Sequence, residues 1–264
     1  MYNRLLDTLF DCWQDGLDEE SKLRFCKDGL MLKYGQPKSY VDELWEVAKR
    51  RVMFVVKDNP DGYGHDTRLW LVDEKNGENN RNLSGGKVGK TGFLPNIAKM
   101  LYGFMSANGN IPGFSDVKMN EVKATFNTMP FALVESKKLA GKPTVSSFEI
   151  KYALNRDELF LKKEIDILRP NIIVCCDADD NVFKFVTKRY FSKAESEKID
   201  YEYEINGEIA KGMRPCRLWY YPSHNVVVVN SYHPTRLGRY KSDLKIYERA
   251  IDPFRRFLRE HPDF

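Results

Sequence analysis

Residues 51–60 read RVMFVVKDNP, and the architecture turns on how they are read. Val52 to Val56 form an unbroken apolar run rich in β-branched residues, closed by Lys57, Asp58, Asn59 and Pro60. A helix spaces its apolar residues three and four apart, and a strand with one wet face alternates them. A short continuous run fits a strand buried on both faces, as in a parallel sheet covered by helices. NIIVCCD (171–177) and NVVVVNSYHPT (225–235) repeat the pattern. EVKATFNTMP (121–130) reads as a further strand, ending at Asn127 and Pro130.

Helical patterns separate these runs. FLPNIAKMLYGFM (93–105), SSFEIKYALNRDELFLKKEIDIL (146–168), DADDNVFKFVTKRYF (177–191) and the basic LGRYKSDLKIYERAIDPFRRFL (237–258) all carry apolar residues at helical spacing. Strands alternating with helices predict a three-layer α/β/α fold around a central, mainly parallel four-stranded sheet. TLFDCWQDGL and SYVDELWEVAKRR read as helices, so residues 1–51 form an N-terminal helical extension to a core over 52–264. YEYEINGEIAKGMRPCRLWYYP (201–222) reads as two extended segments around a glycine-containing turn. No repeat or linker divides the chain, which is expected to be a single domain and a monomer.

The 264 residues are 42% hydrophobic and 30% charged, which excludes long disorder and a coiled-coil rod. No run nears the roughly 18 apolar residues of a membrane span, and the acidic start of the chain is unlike a signal peptide. The expectation is a cytoplasmic protein, nuclear in a eukaryote, with no membrane partner. The net charge of +4 permits a nucleic-acid partner without demanding one. The aromatic content of 13% leaves room for base-stacking residues beside those of the core. Five cysteines without a CxxC argue against a disulfide framework or a metal cluster, so no cofactor and no metal is expected.

In sheets of this type, ligands sit beyond the carboxyl ends of the strands. Those ends carry KDNPDG, FNTMP, CCDADD and NSYHPTRLG. Asn and Asp also serve as turn residues, because their side chains bond nearby backbone. The informative point is that four such ends converge.

These motifs resemble the uracil-DNA glycosylase superfamily. Its first motif, a strand followed by Gly-x-Asp/Asn-Pro, is matched by Asn59 and Pro60 in FVVKDNPDG, in the Asn form of the mismatch-specific and single-strand-selective branches. Its last motif, His-Pro-Ser-x after an apolar strand and often with a leucine next, is matched by His233, Pro234, Thr235 and Leu237. Asn127 falls where the family has an Asn at a strand end. The likeness spans roughly Val52 to Arg239 in one order. Lys57 stands where the family carries Gly, Asp58 fills the variable position, and Asp177 stands where the iron–sulfur branches often have Gly.

The resemblance implies a monofunctional DNA glycosylase, with DNA as partner, that extrudes a damaged or modified base and hydrolyses its N-glycosidic bond. Asn59 would hold the water, His233 would stabilise the leaving base, and Asn127 would read its edge. Phe93 and Tyr63 are the stacking candidates, and Phe93 reads equally well as a core residue. Leu237 reads equally as a wedge into the stack or as an apolar residue of the last helix. Arg236, Arg239, Lys241, Lys87 and Lys90 are placed to meet phosphates. An amide is no general base, so stronger base chemistry would fall to Asp58, Asp61 or Asp66. His65 reads rather as a surface-loop residue. A non-catalytic nucleic-acid binder on the same fold, motivated by Lys57, is one alternative. A metal-dependent α/β hydrolase using carboxylates near Asp58 and Asp177 is another.

Overall fold

The structure is a computed structural model that describes residues 1–57, 62–83, 92–141, 145–177, 179–201, 204–205, 208–209, 216–235 and 242–264. In chain order the strands are β1 (Gly29–Leu30), β2 (Val52–Val56), β3 (Phe131–Glu135), β4 (Ile172–Cys176), β5 (Glu197–Tyr201), β6 (Glu204–Ile205), β7 (Glu208–Ile209), β8 (Cys216–Tyr221) and β9 (Val226–Ser231). The α-helices are α1 (Tyr2–Gln14), α2 (Glu19–Leu23), α3 (Lys38–Val47), α4 (Gly77–Asn82) and α5 (Phe93–Met105). They continue with α6 (Met119–Thr128), α7 (Ser147–Arg156), α8 (Glu158–Leu168), α9 (Asn181–Phe185) and α10 (Asp243–Glu260). A π-helical turn, Val186–Tyr190, extends α9.

Four parallel strands form the centre of the sheet in the order β3-β2-β4-β9. Every residue of these four strands is buried, which explains why their sequences run apolar without alternation. The sheet is larger than the four strands expected. Antiparallel β1 joins β3 at one edge, and antiparallel β8 and β5 follow β9 at the other, giving seven. β6 and β7 pair as a separate ribbon. β8 falls in the stretch read as extended, whereas β1 is two residues long and β5 is polar, so neither a buried apolar run nor a helical period marks those two.

Pleating divides each strand between two apolar clusters. Val52, Phe54 and Val56 face Leu94, Ile97, Leu101, Val122 and Phe254 of α5, α6 and α10. Met53 and Val55 face Phe10, Trp45, Leu154, Leu161 and Phe183 of α1, α3, α7, α8 and α9. Helices therefore cover both faces.

One strand assignment is corrected. EVKATFNTMP is not a strand: residues 119–128 form α6, with Val122 and Phe126 buried at i and i+4. The chain leaves the helix at Met129, whose ψ of 141° suits the residue before a proline. The second parallel strand is the FALVE that follows Pro130.

Chain order sets where a ligand fits. The first parallel strand, β2, lies centrally; the second, β3, is on one side, and the third and fourth, β4 and β9, are on the other. Connections reverse direction between β2 and β4, and the crevice of such a sheet opens there, beyond the carboxyl ends.

Candidate functional site

Three strands deliver polar residues to that edge. At the end of β2, the Lys57 carbonyl accepts bonds from the Ser136 hydroxyl and the Lys137 amide, both at 2.9 Å. The β2–β3 ladder thereby runs on past its last strand residues. Asp58, Asn59, Pro60 and Asp61 lie outside the described residues, as do Lys87, Lys90, Arg236, Leu237, Arg239 and Lys241.

At the end of β4, the buried Asp177 carboxylate accepts from the amides of Asp179 at 3.1 Å and Asn181 at 2.7 Å. It caps α9 and answers that helix's unpaired N–H groups. Asp180 holds a left-handed conformation, φ 59°, and accepts from Asn230 Nδ2 on β9 at 2.9 Å. Arg217 Nη1 of β8 stands 3.6 Å from the same carboxylate. Asp177 and Asp180 are thus engaged with protein donors. Among the described residues no group of three His, Cys, Asp or Glu side chains is arranged to hold a metal ion.

At the end of β9, the chain turns through Tyr232, His233, Pro234 and Thr235. The Thr235 amide donates to His233 Nδ1 at 3.3 Å, and the Thr235 hydroxyl lies 2.7 Å from the same nitrogen. A backbone N–H can only donate, so Nδ1 accepts and the ring proton of the neutral imidazole is assigned to Nε2. The proline immediately before that amide, Pro234, stiffens the turn.

The His233 ring neighbours Phe93, with centroids 5.9 Å apart and planes tilted by 41°. Phe93 meets Trp70 edge-on at 6.1 Å, and Trp70 stacks on His65 at 5.5 Å. His65, Trp70, Phe93 and His233 form one row of rings drawn from three chain segments. His65 lies in a loop, as its sequence reading has it, but is half-buried there against Trp70. Phe93 is both things at once: it is buried in the core cluster, and one side of its ring faces His233.

Behind the row, α5 grips the His-Pro turn. Asn96 Nδ2 donates to the Pro234 carbonyl at 2.8 Å and to Asp243 Oδ1 at 3.1 Å. Lys99 Nζ donates to Asp243 Oδ2 at 2.7 Å. Burial pushes the Asp243 carboxyl up, but the bonds from Lys99 and Asn96 outweigh it and hold the group below the usual carboxylate range. Gly92 enters α5 at φ 74°, and a Cβ there would come within 3.1 Å of Asn96 Nδ2, so only glycine leaves that amide undisturbed.

Sequence reasoning missed Trp70, Asn96, Lys99 and Asp243. The helical phase of Phe93, Asn96 and Lys99, three residues apart, is the signal that places them on one face of α5. Lys57 and Thr235 lie at the strand ends as expected. Asn127 does not. It sits near the end of α6, just before β3, and so at the amino edge of the sheet, opposite the crevice. There it donates to the Arg81 carbonyl at 3.2 Å. Tyr63 is 65% exposed on the loop before His65, and the row of rings does not include it. Asp66 is held in an ion pair with Arg68 at 2.7 Å.

Two cavities lie elsewhere, one of about 510 Å³ between α1 and α8 and one of about 470 Å³ beside Asn108 and Arg259. Neither is lined by a residue of the His233 row. No described helix is long and apolar enough to cross a membrane. No protein-family model matches the chain, and no curated protein matches it.

Proposed function

We propose that the chain is a DNA glycosylase that removes uracil or another modified base by hydrolysis of its N-glycosidic bond. The observation that carries this reading is the His233–Phe93 pair at the carboxyl edge, with the His233 ring proton assigned to Nε2 by the Thr235 amide. Breaking the bond to deoxyribose puts positive charge on the sugar and negative charge on the departing base. A neutral imidazole N–H fixed in advance meets the oxygen of that base where the charge develops. Such a donor costs no reorganisation during reaction. Phe93 offers a largely buried apolar wall beside it for an extruded base. Asn96 and Asp243 act through the Pro234 carbonyl as positioning residues for the imidazole.

In this scheme Asn59 orients the attacking water through its amide oxygen. An amide takes no proton near neutral pH, so the reaction depends on a base that leaves readily as an anion. Reading of the base edge belongs to another residue than Asn127, which stands on the far side of the sheet.

The test uses labelled oligonucleotides carrying uracil or other altered bases, with strand breakage at abasic sites read after alkali. Wild type is expected to excise at least one such base. His233→Ala is expected to slow excision about 10²–10³-fold, the loss of one preorganised donor. Absence of excision across the panel, or undiminished excision by both His233→Ala and Asn59→Ala, would overturn the assignment. Tight, salt-dependent binding without turnover would instead select the non-catalytic binder that Lys57 suggests.

A further inference from the structure

The outer face of α7 carries two large rings in water. Phe148 is 76% exposed and Tyr152 58%. They lie four residues apart, so they stand on one side of the helix with about 6 Å between them along its axis. One exposed ring needs no account. Two at helical spacing, with the exposed Lys151 just before the second, form a pattern.

α9 and its π-turn lie alongside. Asn181 Nδ2 donates to the Ser147 hydroxyl at 2.8 Å near the start of both helices, and the Arg189 guanidinium donates to the Asn155 amide oxygen near their ends. This neighbouring strip adds Lys184 and Lys188, both exposed. Among the described residues, none of Lys151, Lys184 and Lys188 has an acidic partner. The acids nearby are already engaged: Glu149 caps Ser146 at 2.9 Å, and Glu158 pairs with Arg189 and Lys162. The face therefore joins flat apolar rings to three uncompensated cations. Both helices begin at the carboxyl edge of the sheet, where the His233 row lies.

From this juxtaposition we infer that the outer face of α7 and α9 binds a single strand of nucleic acid. Bases stack on Phe148 and Tyr152, and phosphates meet Lys151, Lys184 and Lys188. Every base has a flat face, so such stacking is indifferent to sequence, and the lysines follow the backbone. A second copy of the chain would cover the rings but would bring the three lysines against their own like charges. The inference takes its partner class from the proposed function and extends it to a surface outside the candidate site.

The test is fluorescence anisotropy with a labelled, undamaged oligothymidylate, titrated with the full chain at several salt concentrations. Wild type is expected to bind with a strong salt dependence. Phe148→Ala and Tyr152→Ala are each expected to weaken binding roughly tenfold, the loss of one base stack. Joint replacement of Lys151, Lys184 and Lys188 by Gln is expected to reduce the slope of log K against log salt by about 2, at roughly 0.7 per single-strand phosphate. All five side chains are exposed, and far-ultraviolet circular dichroism checks that each variant remains folded.

Ring variants that bind as tightly as wild type overturn the inference. So does sedimentation showing that wild type self-associates and that Phe148→Ala abolishes the association. The two proposals fail separately. Excision by wild type with unchanged binding in the ring variants removes this surface alone. Binding lost in the ring variants, with no base ever excised, removes the glycosylase reading alone.

Discussion

Lys33 follows the edge strand β1, and its amine is drawn inside the protein. It is 3% exposed, donates to the Phe126 carbonyl at 2.8 Å and lies 4.7 Å from the centre of the Phe131 ring. Burial lowers its pKa from the ordinary 10.5 to about 7. The sign follows. Between about pH 7 and 10.5 the unfolded chain holds a proton that the native state lacks, so this residue makes stability rise with pH, by up to about 1.4 kcal/mol per pH unit. Lys33→Met is expected to flatten that rise, read as the wild-type-minus-variant difference in urea unfolding free energy at pH 7 and pH 9.5. A difference that stays constant with pH would show that Lys33 keeps its proton. At this scale the sequence was legible where chemistry and punctuation coincide. His233 lies between an apolar strand and a proline, and Phe93 opens a helix after a long polar segment. Asn127 was misplaced because Asn before a proline ends a helix as readily as a strand. Asn96 bonds the Pro234 carbonyl and Asp243 bonds Asn96, and nothing in their local sequence reports a partner about 140 residues away.

The segment that carries His65 and Trp70 has little regular structure beyond the short 3₁₀ turn Thr67–Leu69, yet neighbouring backbone holds it tightly. Gly64 N–H donates to the Leu23 carbonyl at 2.8 Å, Lys27 N–H donates to the His65 carbonyl at 2.9 Å, and Thr67 N–H donates to the Lys27 carbonyl at 2.8 Å. A Cβ on Gly64 would lie 2.2 Å from the Phe25 carbonyl oxygen and 2.9 Å from the Phe25 amide nitrogen. Those are backbone atoms with no rotamer to yield. Gly64→Ala is therefore expected to destabilise the fold by about 1–3 kcal/mol, as overpacking does. In thermal melts it should lower Tm, and tryptophan fluorescence should report the shift of Trp70. A variant that melts like wild type would show that the two segments are free to separate. Elements were legible where burial writes a period into the sequence, as in β2, β4, β9 and α5. β1 is only two residues long, and β5 begins with Glu197 and Lys198, so these edge strands leave no such trace.

Distant parts of the chain meet at one buried cation. Lys138 Nζ lies 2.5 Å from Asp28 and 2.8 Å from Glu164, and the Phe10 and Trp13 rings of α1 lie 5.4 and 5.6 Å away. Burial and the neighbouring Asp28 push the Glu164 carboxyl well above its usual range, while Lys138 opposes them. Lys138→Met would leave two carboxyls facing each other without a cation. It is expected to cost on the order of 3–5 kcal/mol. With the opposing cation gone, the Glu164 carboxyl would hold its proton still more tightly relative to the unfolded chain. The penalty should therefore grow as pH rises from 5.5 to 8, which urea unfolding at the two values measures. A pH-independent penalty would show that the two acids do not share the site. The overall α/β arrangement and the parallel centre of the sheet followed from strand runs alternating with helices. The edge strands β1 and β5 and this buried meeting point did not, because they depend on pairings between remote residues that carry no periodic signal.

The pairing of β1 with β3 also bears on how the chain comes to be folded. Gly29 faces Leu133, and Phe25 bridges to Leu139, so each partner is made more than a hundred residues after the other. At roughly 5–20 residues per second, a ribosome takes on the order of 5–20 s to make the intervening chain. Throughout that interval the apolar Leu30, Met31 and Leu32 have no sheet to join. The emerging chain thus presents an apolar segment early and its sheet partner late, so this edge of the sheet closes only after most of the intervening core has been made.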